Sequence, residues 1–397
     1  MSTGPVSAAA APGAAAATPD RLVELALRGL RASFIPERMT FAHTVRAVRT
    51  PAGVELAREG SSLRYTAIVA LGLAALEPDE QGRVLAGRST FDLAAAASER
   101  AGDSPDPGAV ALAAWAAAEV AEAADTALLQ RLSGFLSAGT ALPTVDTAWM
   151  LAAAVASLRV SAGSNNDALA GEIAQRARAR LLGAQGRQGI FPHGLPAASL
   201  GRWRAHVGCF ADQVYPIQSL ARLAALSGDP EALAAANLAA SRICALQGDA
   251  GQWWWHYDAR DGSVVEGFPV YSVHQHAMAP MALFDLARAG GDDHEASIWR
   301  GLRWLDTHPE VLEDLVSERH ALIWRKVGRR EPAKAARKLS AATTSIRPGW
   351  HLPGIDALLP TSQVDHECRP YELGWLLYAW RPSGVDNARA NDPEEPT

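Results

Sequence analysis

Two short passages hold most of the groups able to do chemistry. In Asp365–Glu372 (DHECRPYE), acid, imidazole, acid and guanidinium fall within five residues, directly before the apolar run Leu373–Trp380. A carboxylate there, Glu367 or Glu372, held beside Arg369 would form a general acid or base next to a cation that grips a substrate carboxylate or phosphate. A buried Arg369–Glu372 pair at i, i+3 is the structural alternative. In Gln247–Pro280, three consecutive tryptophans, Trp253, Trp254 and Trp255, lead to His256, Tyr257, Tyr271, His274, Gln275 and His276. Aromatic faces that need burial and polar tips that need partners, concentrated on one strand–turn–helix passage, read as the wall of a pocket. In an extended segment Trp254 faces opposite to its neighbours, so one or two of the three line the pocket and the remainder pack helix ends. His274 and His276 fall on nearly opposite sides of a helix, and His274, after the Tyr271 turn, is the better placed.

Metal binding competes with this reading. Asp365, His366 and Cys368 supply zinc-ligand types, but neighbours at the start of a helix seldom chelate one ion together, and only Cys209 and Asp212 offer themselves as further contributors. No metal and no cofactor is expected.

These groups must be positioned by something, and the rest of the chain is repetitive. Six segments open with polar or turn residues and continue as Ala/Leu-rich helices: Leu63–Leu76, Pro107–Val120, Val145–Leu158, Ala211–Leu226, His274–Ala287 and Glu367–Trp380. Helices apolar around most of their circumference are buried. Between them run amphipathic, charged helices such as Ala168–Leu182 and Pro230–Leu246. Alternation at roughly 40 to 60 residues per pair predicts an all-α (α/α)6 toroid, six inner helices wrapped by six outer ones. In such a ring the polar residues that begin the inner helices converge at one mouth, where helix N-termini add positive potential. The expected acid–base residues are Glu367, Glu372, His274 and Asp212. The expected substrate-binding residues are Arg369, Tyr371, Trp254, Trp255, Tyr257, Tyr271, Gln275, Gln213, Asp146, Trp149, Arg64 and Tyr65, with Tyr215 beside them. Asp146 and Asp212 also suit a plain helix-capping or first-turn role.

A second periodic mark is Q-x-x-x-G-x-aromatic, at Gln185–Phe191 and again at Gln247–Trp253. Gln can bond carbonyls at a helix end, Gly permits a positive φ, and the aromatic packs back over the turn. This spacing resembles the QW motif of the terpenoid cyclase and protein prenyltransferase toroids. Asp146–Trp149 (DTAW) is similar to the tail of the DxDDTA motif of class II terpenoid cyclases, but Val145 stands at the catalytic-acid position. The resemblance therefore implies the fold and speaks against protonation-initiated cyclisation there. Order and spacing of Asp, Cys and His also differ from the prenyltransferase zinc site. Six-hairpin carbohydrate enzymes resemble the chain in ring and turn as well, and fold does not choose between these families.

Composition narrows the classes. Hydrophobic residues at 48% and charged residues at 20% fit a globular protein, and a net charge of −6 disfavours nucleic acid as partner. Three widely spaced cysteines without CxxC fit a reducing compartment, and no apolar run is long enough to span a membrane. The expected setting is the cytoplasm of a bacterium with a GC-rich genome. Residues 1–19 and 382–397 read as disordered tails around one toroid domain, 20–381. An insertion at about 308–362 carries Arg319, Arg325, Lys326, Arg329, Arg330, Lys334, Arg337, Lys338 and Arg347. It is either a solvated face or a cationic lid over the mouth. The mixture of Trp, Tyr, His, Asp, Glu and Arg favours a carbohydrate-active enzyme acting on an anionic or uronic-acid-containing glycan or sugar. A terpenoid-type toroid acting on an isoprenoid and a non-catalytic glycan- or partner-binding toroid are the alternatives. Oligomeric state stays open.

Overall fold

A computed structural model describes residues 16–381 apart from 52, 162, 164 and 333. The expected tails lie outside the described residues except at 16–19, where Ala17 is buried and its N–H donates to Asp306.

The helices alternate as the pattern predicts. Helix α1 (Pro19–Ser33) lies outside and α2 (Leu63–Leu73) inside. The short α3 (Pro78–Val84) leads to α4 (Thr90–Ala101) outside and α5 (Pro107–Val120) inside. Helix α6 (Thr126–Ser137) is outer, α7 (Thr144–Val160) inner, α8 (Asn165–Ala184) outer and α9 (Ala211–Ser227) inner. Helices α10 (Pro230–Ala245) and α12 (Glu295–Thr307) are outer and flank the inner α11 (Ala279–Arg288). Helices α13 (Ala335–Ile346) and α14 (Ile355–Leu358) belong to the insertion, and α15 (Pro370–Trp380) completes the inner set. Each inner helix packs on its two neighbours, and α15 packs back on α2, which closes the ring. Burial follows the sequence pattern: every residue from Gly108 to Ala118 of α5 is buried, whereas α8 buries only the stripe Ala170, Ile173, Ala174, Ala177 and Leu181.

The two glutamine turns are copies of one device. Gln185 Nε2 donates to the Gly189 carbonyl and to Ala235 of α10; Gln247 Nε2 donates to the Gly251 carbonyl and to Ser297 of α12. The glutamine thus ties its turn to the following outer helix, not to the end of its own. Gly251 has φ +99°, and a Cβ there would stand 2.1 Å from the Arg300 carbonyl oxygen, so the turn lies directly on α12.

Two inner helices begin differently from expectation. The fifth opens as a π-helical turn, His274–Met278, before α11. Pro280 has no N–H for the His276 carbonyl, which accepts the Trp380 indole N–H at 2.7 Å instead. The sixth starts at Pro370, which suits a first helical turn, and Glu367–Cys368 forms a strand beside Thr44–Thr50, itself paired with Gly53–Glu59. A second antiparallel sheet orders Val270–Tyr271, Lys326–Gly328 and Gln363–Asp365, with the insertion strand in the middle. Both sheets lead into the N-terminal ends of inner helices.

Candidate active site

The centre of the ring is filled by aromatic rings. Trp149 of α7 meets Tyr215 of α9 edge-on at 4.9 Å, the Tyr215 hydroxyl accepts the Trp375 indole N–H at 2.9 Å, and Trp375 packs on Trp115 at 5.6 Å. These buried rings fill the centre of the ring below the N-terminal ends of the inner helices.

On the rim, Arg64 grips two carboxylates at once. Its Nε donates to Asp106 at 2.7 Å, and its two terminal nitrogens reach Asp146 at 2.9 and 3.2 Å, while its guanidinium lies 5.2 Å from the centre of Trp149. The carboxylates differ in setting: the Asp106 side chain is 39% exposed and that of Asp146 is 4% exposed. Burial raises Asp146 above the ordinary carboxylate range, and Arg64 offsets this only in part. Burial acts on Asp106 too, but the hydrogen bonds and charge of Arg64 outweigh it and leave that group lowered. Gly108 makes room for the cluster, since a Cβ there would fall 2.4 Å from Asp146 Oδ1.

Beside them stands His193, whose backbone carbonyl accepts the Thr144 N–H at the start of α7; its side chain is 40% exposed, with Nδ1 2.9 Å from the fully buried Asp212. The hydrogen bond to Asp212, and then its charge, raise the imidazole above its usual value. Asp212 thus reaches the rim only through His193. Around these groups lie Tyr65, packed on Tyr371 at 4.7 Å and accepting from Arg369 at 3.1 Å, and Trp255, which stacks on His256 at 4.1 Å and meets Tyr271 at 5.9 Å.

Other expected site residues sit below this surface. Glu372, 1% exposed, and Glu367, 7% exposed, both bind Arg325, at 3.0 and 3.2 Å. The main cation of Glu372 is therefore Arg325 from the insertion, while Arg369 contributes its backbone N–H at 3.3 Å. Burial pushes Glu372 up to about 7 against the pull of Arg325. His274 is buried between Phe210 and Tyr271. Tyr257 is fully buried in the strand paired with Val207–Cys209. Trp254 turns away onto Phe268, and Trp253 is core, packed on Phe210. Gln213 and Gln275 are bonded within the fold: Gln213 takes the Phe191 N–H and donates to the Phe191 and Cys209 carbonyls, and Gln275 takes the Trp253 N–H and donates to Tyr271.

Asp106 and His193 are the rim residues that sequence reasoning passed over. Asp106 stands one residue before the apolar segment that opened at Pro107. His193 follows Phe191 by the spacing at which Trp255 follows Trp253, so the repeated turn delivers both to the rim.

The metal-ligand types scatter in part. Asp365 pairs with Lys326 at 2.6 Å, His366 with Glu313, and Cys368 is buried. Cys209 and Asp212 do meet His193, with potential ligand atoms all within 4.8 Å of one another. The Asp212 carboxylate there is already engaged by His193 and by the Cys209 N–H at 2.7 Å, and burial raises the thiol well above its usual value. The set is organised as a hydrogen-bonded cluster.

No family model and no curated protein sequence matches the chain. Solved structures match it along nearly its whole length. An unsaturated glucuronyl hydrolase specific for heparin is 13% identical with a TM-score of 0.52, covering 94% of this chain and 97% of that one. A glycosyl hydrolase family 88 protein from Bacteroides vulgatus is 10% identical with a TM-score of 0.55, covering 92% and 98%. The unsaturated glucuronyl hydrolase of Bacillus sp. GL1 is 12% identical with a TM-score of 0.53, covering 91% and 96%. At such identity the likeness bears on the fold, which is the α/α toroid that the ring closure also shows. Among the described residues no helix is long and apolar enough to cross a membrane.

Proposed function

We propose that the protein is a glycan-cleaving enzyme of the glycoside-hydrolase kind, acting on an anionic or uronic-acid-containing sugar at the rim of the inner ring. The observation that carries this reading is the Asp106–Arg64–Asp146 cluster. Two carboxylates on one guanidinium have settings that push their proton affinities apart, which is how one site supplies both an acid and a base. Asp146, its proton affinity raised by burial, is the group that in its protonated form donates to the departing glycosidic oxygen. Asp106, ionised and open to solvent, activates water or steadies positive charge on the sugar ring. His193, its proton affinity raised by Asp212, is a second proton carrier beside Asp146. Tyr65, Tyr371, Tyr271 and Trp255 offer ring faces for sugar stacking, and Arg369 a cation. The glucuronyl hydrolase neighbours support this substrate class. The polar rim argues against an isoprenoid, which needs an apolar cavity.

The test is turnover of uronate-containing oligosaccharides, followed both as new reducing ends and as ultraviolet absorbance of a newly formed unsaturated uronate. Hydrolysis gives the first signal without the second, whereas elimination gives both. Asp146→Asn and Asp106→Asn should each lower the rate by about 10²–10⁴-fold with an unchanged melting temperature. Full activity in both variants would remove these carboxylates from the mechanism.

A further inference from the structure

The cations of the insertion divide into two groups. Arg325 binds Glu367 and Glu372, Lys326 binds Asp365, and Arg329 binds Glu266 and Asp356 at 2.9 and 2.8 Å. Arg337 and Lys338 of α13 have no carboxylate within ion-pair distance among the described residues, and neither has Arg204, which precedes the strand Val207–Cys209. Glu331, whose charge Arg337 feels, has a carboxylate oxygen engaged by the Ala336 N–H. Arg337 is half-buried, and burial followed by the charge of Arg204 holds its guanidinium below the ordinary value.

These three cations, with Trp203, His256 and Ala341, line a cavity of about 380 Å³ between α13 and the strand Val207–Cys209. No acidic side chain lines it, on a molecule whose net charge is −6. The cavity adjoins the rim on the His193 side. The Arg337 guanidinium lies 4.9 Å from the centre of the Trp255 ring, and the charge of Arg204 acts on both His193 and His256. Un-neutralised guanidiniums brought this close repel one another, and an anion between them would remove that cost.

We propose that this cavity is a subsite for a carboxylate-bearing sugar residue of the glycan, with the carboxylate between Arg204 and Arg337 and the sugar ring against Trp203. The planar fork of a guanidinium matches a carboxylate in two parallel hydrogen bonds; Arg202 covers one face of the half-exposed Trp203 indole at 4.0 Å, and the other is the flat apolar face for a sugar ring. A neutral glycan would leave the cations as they are and gain only the stacking. The proposal rests on the glycan reading of the rim and names where acidity is recognised, at a place apart from Asp106 and Asp146.

Binding, not turnover, tests it. The full chain is titrated with a thio-linked, non-hydrolysable trisaccharide containing glucuronate and with its twin reduced at the carboxyl. The acidic ligand should bind at least about tenfold more tightly, as expected of charge-assisted hydrogen bonds, and the preference should shrink with added salt. Arg204→Gln and Arg337→Gln should each lose most of the preference. The double variant should lose all of it, with the affinity for the neutral twin and the melting temperature unchanged. Equal binding of the twins by the unmodified chain, or a preference that survives in the double variant, overturns the subsite. The carboxyl-reduced trisaccharide bearing a sulfate ester, anionic without a carboxylate, overturns the carboxylate assignment if it outbinds the glucuronate. Binding of none of these ligands overturns the subsite together with the glycan reading, whereas glycan binding without acid discrimination overturns the subsite alone.

Discussion

Arg325 shows how one side chain fixes the role of its neighbours. Lying 4.9 Å from the centre of Tyr271, it joins the insertion strand to Glu367 and Glu372 and thereby to the first turn of α15. Glu367 has other cations, Arg46 at 2.7 Å and Arg369 at 3.4 Å, but Glu372 depends mainly on Arg325. Arg325→Met should therefore cost about 1–3 kcal/mol, the penalty for leaving buried groups unsatisfied, since Glu372, already at about 7, takes up a proton when its cation is removed. Adding Glu372→Gln should recover part of that loss, so a double-mutant cycle by urea unfolding gives a clear coupling. A single-variant loss below about 1 kcal/mol would mean that the pair holds nothing in place. This network also explains what the sequence could not disclose about the site. DHECRPYE announced charge that needed partners: Arg369 does reach Glu367, but the main partner of Glu372 is Arg325, distant in sequence. Arg64, Tyr65, Asp146 and Trp149 were legible because they begin inner helices. Gln213 and Gln275 begin inner helices too, and their amides are turned to backbone groups of the preceding turn. Position on the ring was readable, whereas orientation was a matter of tertiary partners.

The glutamine turn is the element that makes the toroid repeat. In both copies one amide bridges its own turn and the next outer helix, and a second glutamine, Gln213 or Gln275, fastens the aromatic that ends the turn. Gln247→Ala removes two side-chain hydrogen bonds and should cost about 2 kcal/mol. Gln185→Ala should cost the same within about 0.5 kcal/mol, because its geometry is equivalent. Chemical denaturation measures both. A neutral Gln247 variant, or a strong difference between the two, would show that the copies share sequence without sharing load. The helices themselves were legible to within a few residues because apolar runs and turn residues act locally. Apart from the strand–turn–helix passage after Trp255, the strands were missed because each is only two to seven residues long and owes its register to a distant partner, as with Glu367–Cys368 against Thr44–Thr50. The π-turn was hidden for a similar reason, since the carbonyl that Pro280 leaves free is satisfied by Trp380 across the ring closure.

Over the whole molecule, the buried imidazoles set the response to acid. His274 and His276 are enclosed in the fifth inner segment, and burial lowers both to about 3; His256 is also lowered well below its usual value, first by burial and then by Arg337. The unfolded chain protonates these groups as pH falls through about 6.5, whereas the folded chain does not. Over that range the unfolded state holds more protons, so stability is present above about 6.5 and is lost as pH falls. Burial lowers His206 and His294 too, which act in the same direction. Glu372 acts oppositely. Its folded value of about 7 exceeds its ordinary 4.5, so the folded state takes up its proton first and gains stability as pH falls between those values. His274 and His276 against Glu372 leave a net loss on acidification of about one proton's share, roughly 1.4 kcal/mol per pH unit near pH 5.5; His256, His206 and His294 add to it, and the raised His193 and Asp146 oppose it. Unfolding free energies measured from pH 7 to pH 5 should follow that sign. His276→Met should reduce the slope by about one proton's share, roughly 1.4 kcal/mol per pH unit, because neither ring nitrogen of His276 has a partner among the described residues. Glu372→Gln should steepen the slope instead. Stability that is flat or rising toward pH 5 in the unmodified protein would mean that the imidazoles of the fifth segment are open to protons in the folded state.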